Sequence, residues 1–397
     1  METLVNQKTG SVHYLEKLPA FVDAIESMKE IIITNVVLIG QINAPTFRER
    51  RRATVFMERL VDFQVDECTT DGYRNPIGII RGTNDAKAPI FVVAHLDTAV
   101  DRDRDGLLNY KVSVNSIKGP GILDNSLGVG VLLSLPELFR RLDLRFESDI
   151  VLAGVIQSIG KGNLRGIRHL VKTWPTPIRG AVCIEGVDLG RLNYYTEGMI
   201  RCEVTCRIES ENDIGDQFKP NPILILNDMI NQVLKLPLPQ RPRTRIVFGK
   251  ISGGIDYGKV PEAASLGFEV RSDSDRMVRE IFNEIKDIVD GIGHEHEVQL
   301  EMNIISNLNA ARLKFNHPLV KNAGSVMKTL GFKPVSEPSE SELSIFLSRK
   351  IPAVTVGITR GKNRASDVAS MKIEPMFKGI AQVIGILMAI DSGICDE

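Results

Sequence analysis

The chain has 397 residues, of which 43% are hydrophobic and 25% charged, and its formal net charge is −1 at pH 7. This length favours two domains, and the near-zero charge argues against a nucleic-acid partner held through its phosphates. No apolar run approaches the length of a membrane span and residues 1–10 lack a hydrophobic signal core, so we expect no membrane partner. The five scattered cysteines do not form a disulfide framework, so we expect reduced thiols and a cytoplasmic protein.

The first quarter of the chain contains two predicted helices and two predicted strands. The helices cover residues 10–28 and 47–63, and the strands cover residues 75–81 and 89–98. Thr46 is a candidate cap for the second helix, because Glu49 follows it by three residues. The basic run Arg48–Arg52 predicts a solvated face of the same helix.

The strand at residues 89–98 carries the first candidate site residues. Its five consecutive apolar residues, 90–94, are typical of a strand buried on both faces of a parallel sheet. His95 and Asp97 then lie on one side of the strand at its carboxyl end, the edge where open α/β sheets bind ligands. An imidazole that binds a metal usually needs an acceptor for its other ring nitrogen, which Asp97 could supply. A buried histidine satisfied by a nearby aspartate is the alternative.

Two further carboxylates are predicted at the same edge. Asp124 lies in the glycine-rich segment 118–130 at the mouth of a helix, where a plain helix cap is the alternative. Three more buried strands are predicted, over residues 149–156, 180–184 and 351–358. Glu185 follows the second of these strands. His95, Asp97, Asp124 and Glu185 therefore converge on one crevice of an α/β fold, a mixed ligand set suited to zinc, manganese or cobalt.

The pattern changes between residues 201 and 306, where the predicted order of elements is β-α-β-β-α-β, that of a ferredoxin-like module. Because the α/β pattern resumes afterwards, this module is inserted into a discontinuous domain made of residues 1–200 and 307–397. His294 and His296 form a pair at the edge of the module's last strand. No third metal ligand is evident near them in the sequence.

Several short motifs occur together in a recognisable order. They are Ala94-His-Leu-Asp-Thr98, Gly119-Pro-Gly-Ile-Leu-Asp-Asn125, Gly162-Asn-Leu-Arg-Gly166, Ile184-Glu-Gly186, Gly253-Gly254 with Pro261 and Arg271, and Ile351-Pro352 with Gly357. On these residues the chain resembles, over nearly its whole length, the two-metal exopeptidases related to peptidase T, carboxypeptidase G and aminoacylase. The resemblance implies a zinc-exopeptidase-like fold, a doubly wound and mostly parallel sheet with the ferredoxin-like module inserted as a lid. In that family two metal ions activate a water molecule that attacks an amide carbonyl, with a glutamate as general base.

Carried over residue by residue, the resemblance gives roles to five side chains. His95 would bind the first metal ion, and Asp97 would orient the His95 ring. Asp124 would bridge the two ions, and Glu185 would complete the ligands of the first. Arg271 in the lid is a candidate for gripping a substrate carboxylate.

Other positions of the family pattern are degenerate here. Gln157 stands at the position of the general-base glutamate, and Ser158 at that of the next glutamate, a ligand of the second ion. Ala365 stands at the position of the late histidine, another ligand of the second ion, and the lid histidine expected near residues 211–213 is absent. An amide cannot take a proton from water at neutral pH, and general-base help is worth about 10²–10⁴-fold in rate. The resemblance therefore implies at most one divalent ion, zinc before manganese or cobalt, and two-metal hydrolysis that is lost or strongly reduced.

Three functions stay open at this point. The first is a degenerate member of the metallopeptidase family whose cleft binds a small peptide or an N-acyl amino acid. The second is a working single-metal peptidase or amidohydrolase with a substitute base from residues 101–105 or 337–342, where Glu342 follows Ser341 at the family's Ser-Asp position. The third is a non-catalytic binding or scaffold protein. The resemblance also implies a homodimer formed through the lid.

Overall fold

The computed structural model describes residues 2–99, 106–208, 220–364 and 366–396, with side chains from residue 14 onward. The chain divides into two compact units. The first unit consists of Met1–Tyr195 and Arg312–Glu397, and the inserted unit is Thr196–Ala311. The sequence analysis had placed the insertion at residues 201–306.

The first unit contains eight described helices, numbered here along the whole chain. They are α1 (Glu2–Ser27), α2 (Lys29–Gly40), α3 (Arg50–Asp62), α4 (Leu127–Arg141), α5 (Arg165–Thr173), α8 (Pro318–Thr329), α9 (Leu343–Ser348) and α10 (Glu374–Asp391).

The strands of the first unit form one large and one small sheet. They are β1 (Glu67–Thr70), β2 (Pro76–Ile80), β3 (Ile90–His95), β4 (Lys111–Val112), β5 (Ser116–Lys118), β6 (Ile150–Val155), β7 (Gly180–Val187), β8 (Leu192–Asn193), β15 (Ala353–Thr359), β16 (Gly361–Lys362) and β17 (Ser370–Lys372). Two short strands, β9 (Tyr195–Thr196) and β14 (Ala311–Arg312), lie where the chain passes between the units.

The large sheet has the strand order β1-β2-β6-β3-β7-β15-β8. Its four central strands, β6, β3, β7 and β15, are parallel, and the outer strands on both sides are antiparallel. Every residue of the four central strands is buried, as expected when both faces of a parallel sheet are covered. The predicted α/β class with a mostly parallel central sheet is confirmed, and His95 ends its middle strand.

Two predictions for the amino-terminal helices need correction. Helix α2 was missed, because the apolar residues of its sequence do not leave a clear polar face; Ile32, Val36 and Ile39 are all buried. The basic run was predicted to be solvated, but Arg52 is fully buried. Its guanidinium donates to the carbonyl oxygens of Leu96 at 2.9 Å and Ile42 at 2.6 Å, so it supports the chain just after β3.

One segment, Ile122–Arg141, has the length and apolar composition of a membrane span, contrary to the expectation from the sequence that no apolar run approaches that length. In the folded chain 94% of that apolar window is buried inside the protein. The segment contains α4, which packs against α2 and the large sheet. Its apolar character is therefore that of a core helix, hydrophobic on all sides because it is enclosed on all sides.

The inserted unit is a four-stranded antiparallel sheet with two helices. Its elements are β10 (Gly198–Arg207), α6 (Pro222–Val233), β11 (Thr244–Gly253), β12 (Ala263–Ser272), α7 (Asp275–Glu295) and β13 (Gln299–Leu308), in the predicted order β-α-β-β-α-β. The strand order is β11-β12-β10-β13, and all three pairings are antiparallel. Asn221 and Ser274 cap the two helices by accepting backbone hydrogen bonds. Both helices pack on the sheet around a core of their own.

Candidate metal centre

Three predicted ligands meet beside the carboxyl end of β3. The Nε2 atom of His95 lies 3.2 Å from Oδ1 of Asp124 and 3.9 Å from Oε1 of Glu185. Each side chain offers one ligand atom, and these atoms all lie within 4.8 Å of one another. His95 and Glu185 are buried, and Asp124 is partly buried. One nitrogen and two carboxylates in this spacing form a three-ligand set for a single divalent ion.

The ring of His95 is oriented by Asp97, mainly through the main chain. Its Nδ1 atom lies 2.9 Å from the carbonyl oxygen of Asp97 and 3.4 Å from the Oδ1 atom of the same residue. Because a carbonyl oxygen only accepts, we assign the ring proton to Nδ1. When the ring is neutral, this tautomer leaves the lone pair of Nε2 on the side of Asp124 and Glu185, as a metal ligand requires.

The carboxylate of Asp97 joins segments that are far apart in sequence. Its Oδ2 atom accepts hydrogen bonds from the Thr46 hydroxyl at 2.8 Å and from the backbone nitrogens of Ser158 at 3.0 Å and Ile159 at 2.8 Å. The predicted cap at Thr46 is therefore wrong, since its side chain binds Asp97 instead. Glu49, the other half of the predicted capping pair, accepts the backbone N–H of Gln157 at 2.9 Å. No local pattern signals these contacts.

Asp124 is placed by a tight turn before α4. The turn begins after Gly121, whose φ of +65° is in the left-handed region that favours glycine. Asn125 donates to the carbonyl oxygen of Ile184 at 2.7 Å, which holds the turn against β7. A Cβ atom at Gly186 would lie 2.6 Å from the carbonyl oxygen of Leu123. The glycine after Glu185 thus lets the strand approach the turn, and this approach brings Glu185 to Asp124.

Arg364 is a residue of this site that the sequence analysis missed. Its Nε atom donates to Oδ2 of Asp124 at 3.2 Å, and a terminal nitrogen donates to Oε2 of Glu185 at 3.2 Å. The guanidinium therefore takes the carboxylate oxygens that do not face His95. The only sequence signal for Arg364 is its place in the segment Gly361–Asp367, where the resemblance expects a histidine. Ala365 itself lies outside the described residues.

The charges of the cluster shift the pKa of His95 and of its two aspartate neighbours. Burial alone would lower the pKa of His95, but its contacts with Asp124 and Asp97 outweigh burial and raise it well above the usual value. The charges of Glu342 and Glu185 act in the same direction. Burial opposes ionisation of Asp97 and Asp124, yet the interaction with His95 lowers the pKa of both carboxyl groups. Without a bound metal the cluster thus favours a protonated imidazole between two carboxylates.

The third carboxylate of the cluster behaves differently. Burial raises the pKa of Glu185, and the charge of Asp124 adds to burial, while His95 and Arg364 oppose it. Burial would lower the pKa of Arg364, but the charges of Asp124 and Glu185 raise it, so the guanidinium remains a cation at all ordinary pH values. The positive charge beside this pair of carboxylates is therefore permanent.

Gln157 and Ser158, which the sequence comparison predicts to be degenerate, make contacts of their own. Gln157 has φ +54° and lines a separate cavity of about 440 Å³ with α3, and its Oε1 atom is buried without a hydrogen-bond partner among the described residues. The Ser158 hydroxyl donates to Oε1 of Glu342 at 2.6 Å. Glu342 is only 3% exposed and its charge acts on both His95 and Glu185. A buried carboxylate from the residue just before α9 thus contacts Ser158, while the Glu49 carboxylate contacts the backbone of Gln157.

Two predicted features of the inserted unit also have visible contacts. Arg271 donates to Glu269 through two of its guanidinium nitrogens, within the unit, and its predicted grip on a substrate carboxylate stays a prediction. His296 lies 3.5 Å from Asp228 and, with Glu295, forms a second potential ligand group, which is partly exposed. His294 instead contacts the carbonyl oxygen of Asp290 at 2.7 Å. The segments 101–105 and 211–213, also considered from the sequence, lie outside the described residues.

The donor set fits one divalent ion. Across residues 2–99, 106–208, 220–364 and 366–396, Asp124 belongs to one potential ligand group only, that with His95 and Glu185. Its other carboxylate oxygen is bound by Arg364, a cation that cannot act as a ligand. The residues present therefore suit a single ion held by His95, Asp124 and Glu185.

Comparison with known proteins agrees with this architecture. No protein-family model and no curated protein matches the chain. Among solved structures, the di-peptidase Dug1p from Saccharomyces cerevisiae has a TM-score of 0.77 at 12% identity, covering 94% of this chain and 98% of that chain. A tripeptidase from Staphylococcus aureus has a TM-score of 0.71 at 15% identity, covering 92% and 99%. The Bacillus subtilis YXEP protein, a dinuclear metal-binding peptidase of the M20 family, has a TM-score of 0.63 at 13% identity, covering 92% and 99%.

The chain therefore has the fold of the M20 metallopeptidases. This confirms, for the fold, the resemblance that the sequence motifs indicated. The three solved structures are described as a tripeptidase, a di-peptidase and a dinuclear metal-binding peptidase.

Proposed function

We propose that this chain is a degenerate M20-type metallopeptidase that binds one divalent ion and has lost most or all of the family's two-metal hydrolysis. The observation that carries the proposal is the Arg364 guanidinium, 3.2 Å from both Asp124 and Glu185. A fixed cation at the bridging aspartate offers charge compensation that a second metal ion would otherwise supply. The replacement of the base by Gln157 supports the same conclusion, because an amide accepts no proton at neutral pH.

The single ion is proposed to be zinc, held by His95, Asp124 and Glu185. When bound, it would act as a Lewis acid on a carbonyl or amide oxygen of the ligand. Asp97 keeps Nε2 of His95 available for the ion, and Arg364 balances the negative charge of the two carboxylates. The cleft is proposed to take a small peptide or an N-acyl amino acid, because the solved relatives include di- and tripeptidases.

Metal content and hydrolysis together test the proposal. Elemental analysis of the purified chain should find about one ion per chain. Di- and tripeptides and N-acyl amino acids should be hydrolysed at least about 10²-fold more slowly than by an ordinary two-metal peptidase. Two ions per chain together with ordinary turnover would contradict the proposal.

A reconstruction experiment sharpens the test. The combined variant Gln157→Glu, Ser158→Glu and Ala365→His restores the family's residue types but keeps Arg364. Adding Arg364→Met should allow a second ion and raise hydrolysis, whereas the combined variant without it should gain little. Arg360→Met is the matched control, because Arg360 is an exposed arginine in the same region of the chain. Equal gains with either arginine replaced would mean that Arg364 does not exclude the second ion.

One observation favours a second candidate function, a single-metal hydrolase with Glu342 as substitute base. Its carboxylate is buried beside the cluster and is bound by Ser158. Glu342→Gln keeps the shape of the side chain but removes proton acceptance, so it should lower any residual hydrolysis by about 10²–10⁴-fold with metal content unchanged. Glu337→Gln, an exposed neighbour in sequence, is the control. Unchanged hydrolysis by the Glu342→Gln variant would show that Glu342 is not the substitute base.

We also propose homodimerisation through the inserted unit. In the part of the chain that is described, β11 pairs only with β12, so its outer edge offers unpaired backbone groups. Ile251 on this edge strand is 64% exposed. Light scattering should give the mass of a dimer, and Ile251→Lys should shift it to a monomer. A monomer at every concentration of the unchanged chain would contradict the proposal.

A further inference from the structure

A small antiparallel sheet beside the metal centre carries three lysines in one row. Its strand order is β16-β17-β5-β4. Lys362 pairs with Ser370, Ser370 pairs with Lys118, and Lys118 pairs with Lys111. Residues directly opposite in antiparallel strands point to the same face of the sheet. We call Lys111, Lys118 and Lys362 the basic row.

The two faces of this sheet differ sharply. Ile117 and Met371, which pair with each other, are fully buried on one face. The other face lines a cavity of about 620 Å³, whose walls include the basic row, Ser370 and Asn363. Asp367 contributes a single carboxylate to the same walls. Among the described residues that line the cavity, three positive charges and one negative charge are present, together with several hydrogen-bonding groups.

The basic row is not explained by the stability of the fold. Lys111 and Lys118 are directly opposite each other, and like charges in that position destabilise a sheet. In the described ranges, none of the three lysines makes an ion pair or a side-chain hydrogen bond, and all three are exposed. An arrangement that repels itself and has no compensating partner within the described protein is typical of a site for an anionic ligand.

The cavity lies next to the metal centre along the chain. Asn363 lines the cavity, and the following residue, Arg364, contacts Asp124 and Glu185. The Cα atoms of Lys362 and Arg364 are at most about 7 Å apart, because one residue spans at most about 3.6 Å. The turn that carries Asp124 packs against the other, buried face of the same sheet, since Gly361 pairs with Met371 and a Cβ at Gly361 would lie 2.5 Å from the Leu123 side chain.

We propose that the basic row binds an anionic group on the ligand of the metal centre, so that the preferred ligands are acidic peptides or acidic N-acyl amino acids. This inference rests on the proposed function, because it takes the metal centre as the place where the amide of the ligand lies. The anionic group is a carboxylate or a phosphate, since ammonium groups bind either as point charges. A volume of about 620 Å³ is ample for such a side chain.

Binding rather than turnover tests the inference. Isothermal titration of the metal-loaded chain should show that Ala-Glu binds about tenfold or more tightly than Ala-Gln, with Ala-phosphoserine reporting on phosphate. The preference should fall as salt rises from about 50 mM to about 500 mM, because screening weakens the attraction. If the chain proves to hydrolyse peptides rapidly, the same ratio is measured in kcat/KM, so the inference is tested even if the proposed loss of hydrolysis fails.

Variants of the basic row distinguish its effect on ligand preference from any effect on metal binding. The combined variant Lys111→Gln, Lys118→Gln and Lys362→Gln should abolish the preference for Ala-Glu and Ala-phosphoserine over Ala-Gln. Its metal content should be unchanged, and its melting temperature unchanged or higher, because repulsion has been removed. Lys172→Gln, an exposed lysine on α5, is the control and should keep the preference.

Three outcomes would overturn the inference. One is equal binding of Ala-Glu, Ala-phosphoserine and Ala-Gln by the unchanged chain. Another is a preference that survives in the combined variant. The third is the absence of any peptide binding while glutarate still binds to the unchanged chain, which would mean that the basic row binds anions but does not serve the metal centre.

Discussion

The guanidinium of Arg364 donates a hydrogen bond to Oδ2 of Asp124 at 3.2 Å, on the side of the carboxylate away from His95. One aspartate thus has an imidazole at one oxygen and a permanent cation at the other. This relationship limits how much further positive charge the cluster can accept.

Replacing Arg364 with methionine should tighten binding of a single zinc ion. The guanidinium repels the ion and competes for both carboxylates, and because its side chain is 42% exposed, solvent screening limits the effect to about tenfold. Competition against a fluorescent chelator measures the affinity. Arg360→Met should leave it unchanged. Unchanged or weaker zinc binding by Arg364→Met would show that the guanidinium does not oppose the ion.

The stability of the metal-free chain should fall as pH rises above about 6.5. The pKa of His95 is raised in the folded state, so the folded chain holds a proton that the unfolded chain releases. The stabilisation is therefore fully present below the unfolded value of about 6.5 and is lost as pH rises through the folded value. Urea denaturation between about pH 6 and pH 9 measures how the free energy of unfolding changes with pH.

The matching variants isolate His95 in that experiment. In the metal-free His95→Gln variant, the free energy of unfolding should depend much less on pH, because glutamine does not titrate. His294→Gln, at an exposed histidine of the inserted unit, should keep the pH dependence. An identical pH dependence in the unchanged chain and in His95→Gln would assign it to other groups.

Gly186→Ala should weaken metal binding. The added methyl group would lie 2.6 Å from the carbonyl oxygen of Leu123, so either the strand or the turn that carries Asp124 must move. Displacing a supported ligand usually costs about 10–100-fold in metal affinity. Gly324→Ala in α8 has open space around the added atom, so it should leave metal affinity unchanged and keep or raise stability. Equal metal affinities in the two variants would contradict this account.

Arg52→Met should destabilise the fold strongly. The buried guanidinium donates to Leu96 and Ile42, and burial lowers its pKa to about 10. Its loss leaves both carbonyl oxygens without these donors, at a cost of about 2–4 kcal/mol in the free energy of unfolding. Arg51→Met, one residue earlier and exposed, should change stability by less than about 0.5 kcal/mol. Similar unfolding free energies for the two variants would contradict the prediction.

The sequence predicted the residues of the ligand cluster because a short local pattern marks each of them. Apolar runs mark the buried strands of a parallel sheet, and His95 and Glu185 lie at or near the carboxyl ends of two of them. Asp124 was found through the glycines that shape its turn. The order of elements in the inserted unit could be predicted for the same reason, since each strand and helix has its own period.

The contacts that the sequence did not predict join residues far apart in the chain. Thr46 resembles a helix cap, and only the folded chain brings it to Asp97, 51 residues later. Arg52 belongs to a basic run typical of a surface, yet it satisfies two carbonyl oxygens inside the core. Arg364 is 240 residues from Asp124. A single sequence does not encode such pairings in any short pattern.

Under the proposed function, the position of Arg364 has an evolutionary consequence. A variant that gained only one of the ligands expected of a two-metal site would still carry a positive charge at Asp124, and a second ion would gain little affinity from the change. Selection would have nothing to retain at that step. A two-metal site would then need several simultaneous substitutions, so Arg364 would act as a barrier to evolving one from this chain.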